Sequence, residues 1–150
     1  MLLYYRLAGL LANIALLAHT VLELLALSWT GITLTLPGIA GVILTIGMGV
    51  DANIIIFERI KEEIKNGKTL KTGIDLGFKR AFPAIFDANM TTLISAVILY
   101  IFGTGPIKSF AITLGLGVAL SFLTAVVITR MLVKSVSGLD VAKNHKLYGV

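Results

Sequence analysis

Four long apolar stretches, at about 7–27, 36–57, 84–102 and 110–132, dominate the pattern of this chain. Each is close to the roughly 20 residues that a helix needs to cross a hydrocarbon core. After the second stretch the pattern turns charged, with Glu58, Arg59, Lys61, Glu62, Glu63 and Lys65. The same helix is expected to continue into water there, with Arg59 and Glu63 paired at i, i+4. Asn66-Gly67 ends it, because both residues tolerate the left-handed cap conformation. A short amphipathic helix is expected over 69–82. Leu70, Ile74, Gly77, Phe78 and Ala81 share one of its faces, and Lys71, Asp75 and Lys79 lie elsewhere. Such a helix would lie on the membrane surface. Pro83 then marks the start of the third span, where proline is tolerated, and Gly103-Thr104-Gly105-Pro106 forms a tight turn before the fourth. The expected fold is all-α: a polytopic membrane bundle of four transmembrane helices with one cytoplasmic amphipathic helix. It occupies 1–134 as one domain, and a polar cytoplasmic tail follows over 135–150.

Composition agrees and excludes a soluble domain. Of the 150 residues, 57% are hydrophobic and 14% charged, against about 25% charged in soluble chains. The absence of cysteine excludes disulfides and thiolate metal sites. No cleavable signal is visible, since Met1-Leu2-Leu3-Tyr4-Tyr5-Arg6 has no basic run ahead of the apolar one. The net charge of +5 is explained by orientation rather than by nucleic acid. With the N-terminus inside, twelve of the thirteen Lys and Arg fall on the cytoplasmic side and only Lys108 falls outside. Both termini are therefore expected in the cytoplasm, with Tyr4, Tyr5 and Trp29 marking the interfaces of the first span.

The polar residues inside the spans carry the chemistry. Asp51 follows Gly47-Met48-Gly49-Val50 within an apolar run, about 22 Å of helix rise from Leu36. A carboxyl group at that depth is costly unless neutral, paired or hydrated, and marks a functional site by default. Gly41, Thr45 and Gly49 repeat at four-residue spacing, and Gly117, Ser121 and Ala125 do the same, so both helices invite close packing. Gly47 and Gly49 serve either packing or a local loosening that admits water. Asp87, Thr91 and Ser95 form a polar stripe, flanked by Asn89 and Thr92, that should face other helices or a wet cavity. Asp87 itself lies one turn inside the span, where it could instead reach the interface or the helix N-terminus. His19 and Glu23 share a helix face at i, i+4. They read either as a proton relay or as a polar pair beside the Trp29 interface.

Several of these runs together resemble one family. Leu36-Pro37-Gly38-Ile39-Ala40-Gly41, Gly47-Met48-Gly49-Val50-Asp51-Ala52-Asn53 and Phe57-Glu58-Arg59-Ile60 are similar to the membrane part of the SecD protein-export family. So are Gly77-Phe78-Lys79-Arg80-Ala81-Phe82, Asp87-Ala88-Asn89-Met90-Thr91-Thr92-Leu93 and Phe102-Gly103-Thr104-Gly105-Pro106. The family belongs to the resistance-nodulation-division superfamily.

The resemblance implies a multi-pass protein of a bacterial or archaeal cell (inner) membrane. It would work with SecF beside the SecYEG channel and use the proton-motive force to assist the passage of exported preproteins. On that basis the chain is not an enzyme but a proton-coupled translocation subunit, with no cofactor, no metal and no nucleic-acid partner. Its four spans look like the family's third to sixth. The chain would then begin at the end of the family's second helix and lack the extracytoplasmic domain that handles preproteins. By resemblance, Asp51 matches the family's intramembrane acid of its fourth helix, and Asp87, Asn89, Thr91 and Thr92 match the polar motif of its fifth, which makes Asp51 and Asp87 the expected proton-coupling residues. Asn53, Asn89, Thr91, Thr92 and Ser95 form the polar pathway, and Gly47, Gly49 and Gly117 the packing or hinge positions. His19 and Glu23 match no family motif. One charge crossing the membrane field is worth about 2.3 kcal/mol per 100 mV, so a few protons could drive a conformational stroke. The alternative is a fragment of a related proton-driven exporter of drugs or lipids. Asp51-Ala52-Asn53 argues against it, because drug exporters resemble Asp-Asp at that place. An intramembrane aspartyl protease would need two carboxyl groups about 3 Å apart and a Gly-x-Gly-Asp run, which Val50 interrupts. A purely structural scaffold is the remaining reading.

Overall fold

Local signals set the helix ends, and packing decides what happens between them. The computed structural model describes residues 2–31 and 33–137, with side-chain surroundings for 9–31, 33–133 and 135. Helix α1 is Leu2–Thr30, α2 is Leu36–Lys65 and α3 is Leu70–Phe102. Helix α4, Pro106–Leu123, runs through a π-helical segment, Thr124–Thr129, into α5, Arg130–Ser137. At the start of α2 the Thr35 hydroxyl accepts from the Gly38 amide at 3.3 Å, with Pro37 in the first turn. That hydroxyl satisfies one of the amides a helix start leaves free. Thr69 caps α3 in the same way through the Thr72 amide. Gly67, at φ +81°, ends the α2 turn as expected. Gly105, at φ +45°, lets the chain reverse into Pro106.

Gly9–Thr30, Leu36–Lys65, Leu70–Phe102 and Pro106–Val133 are long and apolar enough to span a bilayer. The protein is a multi-pass membrane protein. Helices α2, α3 and α4 pack on one another, and α1 packs against α2, α4 and the π segment. The larger core lies toward the charged end of the bundle, where Ile56, Phe57 and Ile60 of α2 meet Ile74, Phe78 and Ile85 of α3. A smaller core of Ala96, Leu114 and Val118 lies toward the Gly103–Gly105 turn. Small residues bring the helices together. A Cβ built on Gly77 would stand 2.7 Å from the Ile60 nitrogen and 2.8 Å from its Cα. On Gly41 it would overlap Thr113.

Three expectations need correction. Residues 69–82 do not form a separate surface helix, because α3 runs unbroken from Leu70 to Phe102 with Pro83 inside it. Proline removes one amide from the ladder and usually ends a helix. Here buried residues on both sides, Phe78 and Ala81 before it and Ile85 after it, bind the two halves to the same core. Phe82 and Phe86 also stack at 6.0 Å, and both meet Phe122 edge-on. Arg59 pairs with Glu62 at 2.8 Å rather than with Glu63. Glu63 is buried and turns toward α3, where Arg80 reaches it at 2.5 Å. The fourth span is not a plain α-helix over 110–132, since the π segment interrupts it. Of the expected tail, 135–137 continues as helix, and 138–150 lies outside the described residues.

Candidate functional site

Helical periodicity sends neighbouring polar residues of α2 to opposite sides. Asp51 and Asn53 are two residues apart, about 200° around the axis. Asp51 lies on the outer surface of the bundle, and Asn53 is buried. Asp51 opens onto a groove of about 260 Å³ between α2 and α3, which Met48, Ile85, Ala88, Asn89 and Thr92 also line. The groove presents acceptors. Asn89 donates its Nδ2 hydrogen to the Ile85 carbonyl at 2.6 Å, leaving its buried Oδ1 without a partner among the described residues. Thr92 donates back to the Ala88 carbonyl at 3.0 Å. Asp51 makes no hydrogen bond or ion pair with any described residue. The groove therefore suits a proton, a cation or a donor supplied from outside the bundle.

The stripe Asp87, Thr91 and Ser95 faces outward from α3. Thr91 donates to the Asp87 carbonyl and Ser95 to the Thr91 carbonyl, both at 2.9 Å. The stripe therefore faces away from the core and hydrogen-bonds to no other helix among the described residues. Asn53 belongs to a different place. Its Oδ1 accepts from the Thr129 hydroxyl at 2.9 Å, tying α2 to the end of the π segment. Gly47 is exposed, with nothing within 4 Å of a built Cβ, and α2 continues unbroken through it. Gly49 and Gly117 are buried contacts.

A second polar cluster sits inside the bundle, among α1, α2 and α4. Glu23 and His19 are both buried, 0% and 1% exposed, inside the bundle rather than on its surface. Thr45 Oγ1 lies 2.8 Å from Glu23 Oε1 and 2.9 Å from Oε2. His19 Nε2 lies 3.3 Å from Glu23 Oε2, but without hydrogen-bond alignment. Gly117 makes room for the carboxyl group, since a Cβ there would overlap Glu23 Oε1 and stand 2.5 Å from Thr45 Cγ2. The sequence shows the His19–Glu23 face and the small-residue stripes separately. Only the fold shows that the stripes of α2 and α4 close over this carboxyl group.

Comparison with known proteins agrees on one family. A family model described as "Protein export membrane protein SecD/SecF, C-terminal" matches residues 1–138. A protein translocase subunit SecD from Acidaminococcus fermentans is 54% identical over 99% of this chain, covering 36% of the relative. The SecD of Haemophilus influenzae is also 54% identical, over 92% of this chain and 23% of its own. A crystal structure of SecDF, described as a translocon-associated membrane protein from Thermus thermophilus, superposes with a TM-score of 0.90 at 42% identity. It covers 95% of this chain and 20% of that one. SecDF in a super-membrane-facing form gives 0.87 at 43% identity, over 91% of this chain and 19% of that one. The chain spans between 19% and 36% of the length of these proteins.

Proposed function

This chain belongs to the SecD/SecF C-terminal family of protein-export membrane proteins, and from that premise we propose that it is the proton-coupling membrane unit of a protein-export machine. Asp51 is the residue that takes up and releases the proton. The observation that carries this reading is the Asp51 groove, a carboxyl group at membrane depth beside an unpartnered amide oxygen, open to the outside of the bundle. Asn89 and Thr92 line the route to it, and Asp87, Thr91 and Ser95 extend the polar surface on which a partner would lie. That partner is SecF, with SecYEG as the channel served and preproteins as the cargo. The membrane is the bacterial or archaeal cell (inner) membrane, with both termini on the cytoplasmic side. The role is mechanical rather than enzymatic. Protonation removes the charge of Asp51 and so changes how tightly a neighbouring positive or donor group is held.

The test is Asp51→Asn in the complete export protein. The substitution is nearly isosteric and cannot ionise. Export stimulated by the proton gradient should fall at least tenfold while the complex still assembles. Undiminished stimulation would remove Asp51 from the mechanism.

A further inference from the structure

The Glu23 cluster lies apart from the Asp51 groove, and it sets three acceptor oxygens around one hydroxyl. Thr45 Oγ1 is 2.8 Å from the Val42 carbonyl as well as 2.8 and 2.9 Å from the two Glu23 oxygens. All three neighbours are acceptors when Glu23 is ionised, and a hydroxyl has one hydrogen to give. Hydroxyls of helical threonines commonly donate back to a carbonyl in the preceding turn. If Thr45 does so to Val42, the carboxyl group faces only its lone pairs. A hydrogen on Glu23, donated to Thr45 Oγ1, then completes the set. If Thr45 turns to the carboxylate instead, the proton has a second place to reside, His19. Its Nε2 lies 3.3 Å from Glu23 Oε2.

The two arrangements contain the same atoms and the same number of protons. In one, a neutral carboxyl group stands beside neutral imidazole. In the other, a carboxylate stands beside imidazolium. Each is neutral overall, which a buried site favours. Losing the shared proton would leave one uncompensated charge.

Among the described residues nothing else charged faces the pair. Helix α2 has no ionisable residue ahead of Asp51, and Asp51 opens to the α3 groove. The run of α4 and the π segment has none between Lys108 and Arg130. On α3, Asp87 faces outward. Unused hydrogen-bonding capacity lies beside the pair. Both its ring nitrogens and the Ser121 hydroxyl are buried without a hydrogen-bond partner among the described residues. His19 Cδ2 and Ser121 Oγ flank Gly49, 3.6 and 3.5 Å from where its Cβ would stand.

We propose that Glu23 and His19 form a second proton-binding site inside the bundle, holding one exchangeable proton that Thr45 fixes on one side. Moving the proton from Glu23 to His19 carries it between atoms 3.3 Å apart. The inference rests on the export reading for its use, but its chemistry stands without it.

The test is infrared spectroscopy on the 150-residue chain in lipid bilayers, in an Asp51→Asn background, in water and after transfer to D2O. The expected result is a protonated-carboxyl band that shifts on transfer to D2O and is absent in Glu23→Gln. In His19→Gln, which removes the second place for the proton, the band should gain intensity. Should Glu23→Gln not fold, the isotope-shifted band of a chain labelled with 13C-glutamate identifies the same group. Absence of a protonated-carboxyl band from Glu23, or a band that does not shift in D2O, would overturn the proposal. A band whose intensity His19→Gln leaves unchanged would overturn the sharing. The readout needs no export, so failure here leaves the role of Asp51 intact, and an inactive Asp51 leaves this site intact.

Discussion

Gly77→Ala tests the close approach of α3 to the backbone of α2. Its new Cβ would stand 2.7 Å from the backbone nitrogen of Ile60 and 2.8 Å from its Cα, and backbone cannot swing aside. Ordinary contact begins near 3.4 Å, so α3 must retreat from α2 by about 0.7 Å. A gap of that size forfeits about a quarter to a half of the dispersion attraction across it. Ile60, Ile64, Ile74 and Phe78 are buried along this seam, each worth about 1.5–3 kcal/mol when fully buried. A quarter of that, over four side chains, is about 1.5–3 kcal/mol. Alanine returns about 1 kcal/mol of helix propensity. Gly47→Ala makes the control, since nothing lies within 4 Å of its Cβ. It gains the same propensity and loses no contact. The contrast between the two variants should therefore be the packing loss alone, about 1.5–3 kcal/mol. Reversible unfolding in mixed micelles, followed by circular dichroism, measures it. Equal stabilities would refute the close α2–α3 approach.

Thr129→Val should cost about 1–3 kcal/mol in the same assay, because it leaves the buried Asn53 Oδ1 without its donor. A double-mutant cycle with Asn53→Leu should recover most of that loss. A cysteine at Gly67 should be labelled only from the cytoplasmic side of intact cells, and one at Thr104 only from outside. The two sites lie at opposite ends of α3, which is about 50 Å long. Labelling of both from one side would rule out this arrangement.

The spans were legible because twenty apolar residues in a row have few other uses, and the Asn66-Gly67 stop because its cap chemistry is local. The course of the chain at Pro83 was not legible. The local rule ends a helix there, and the contacts that override it, Phe78, Ala81 and Ile85 on one core, exist only once α2 is in place. Glu63 illustrates the same limit. Spacing offered it Arg59, but burial turned it to Arg80, 17 positions away. For the candidate site, the sequence put Asp51 and Asn53 in one motif, while the 3.6-residue period sends them to opposite faces. It also marked Glu23 and His19 as one face of one helix. Their enclosure by Thr45 and Gly117 depends on how three helices meet, which no single-helix pattern contains.

The π segment makes the last helix two pieces wound out of phase. A turn closed by i→i+5 bonds holds one residue more than an α-turn. Rewinding Thr124–Thr129 as α-helix would therefore rotate all that follows by about 100° about the axis. Thr129 would swing away from Asn53 and Arg130 away from Asp75, which it now meets at 3.4 Å. The stretch from Pro106 to Leu123 need not turn at all. One buried hydrogen bond and one surface ion pair thus act as a latch on the angular setting of α5, and a change in either would be read out as rotation rather than as displacement.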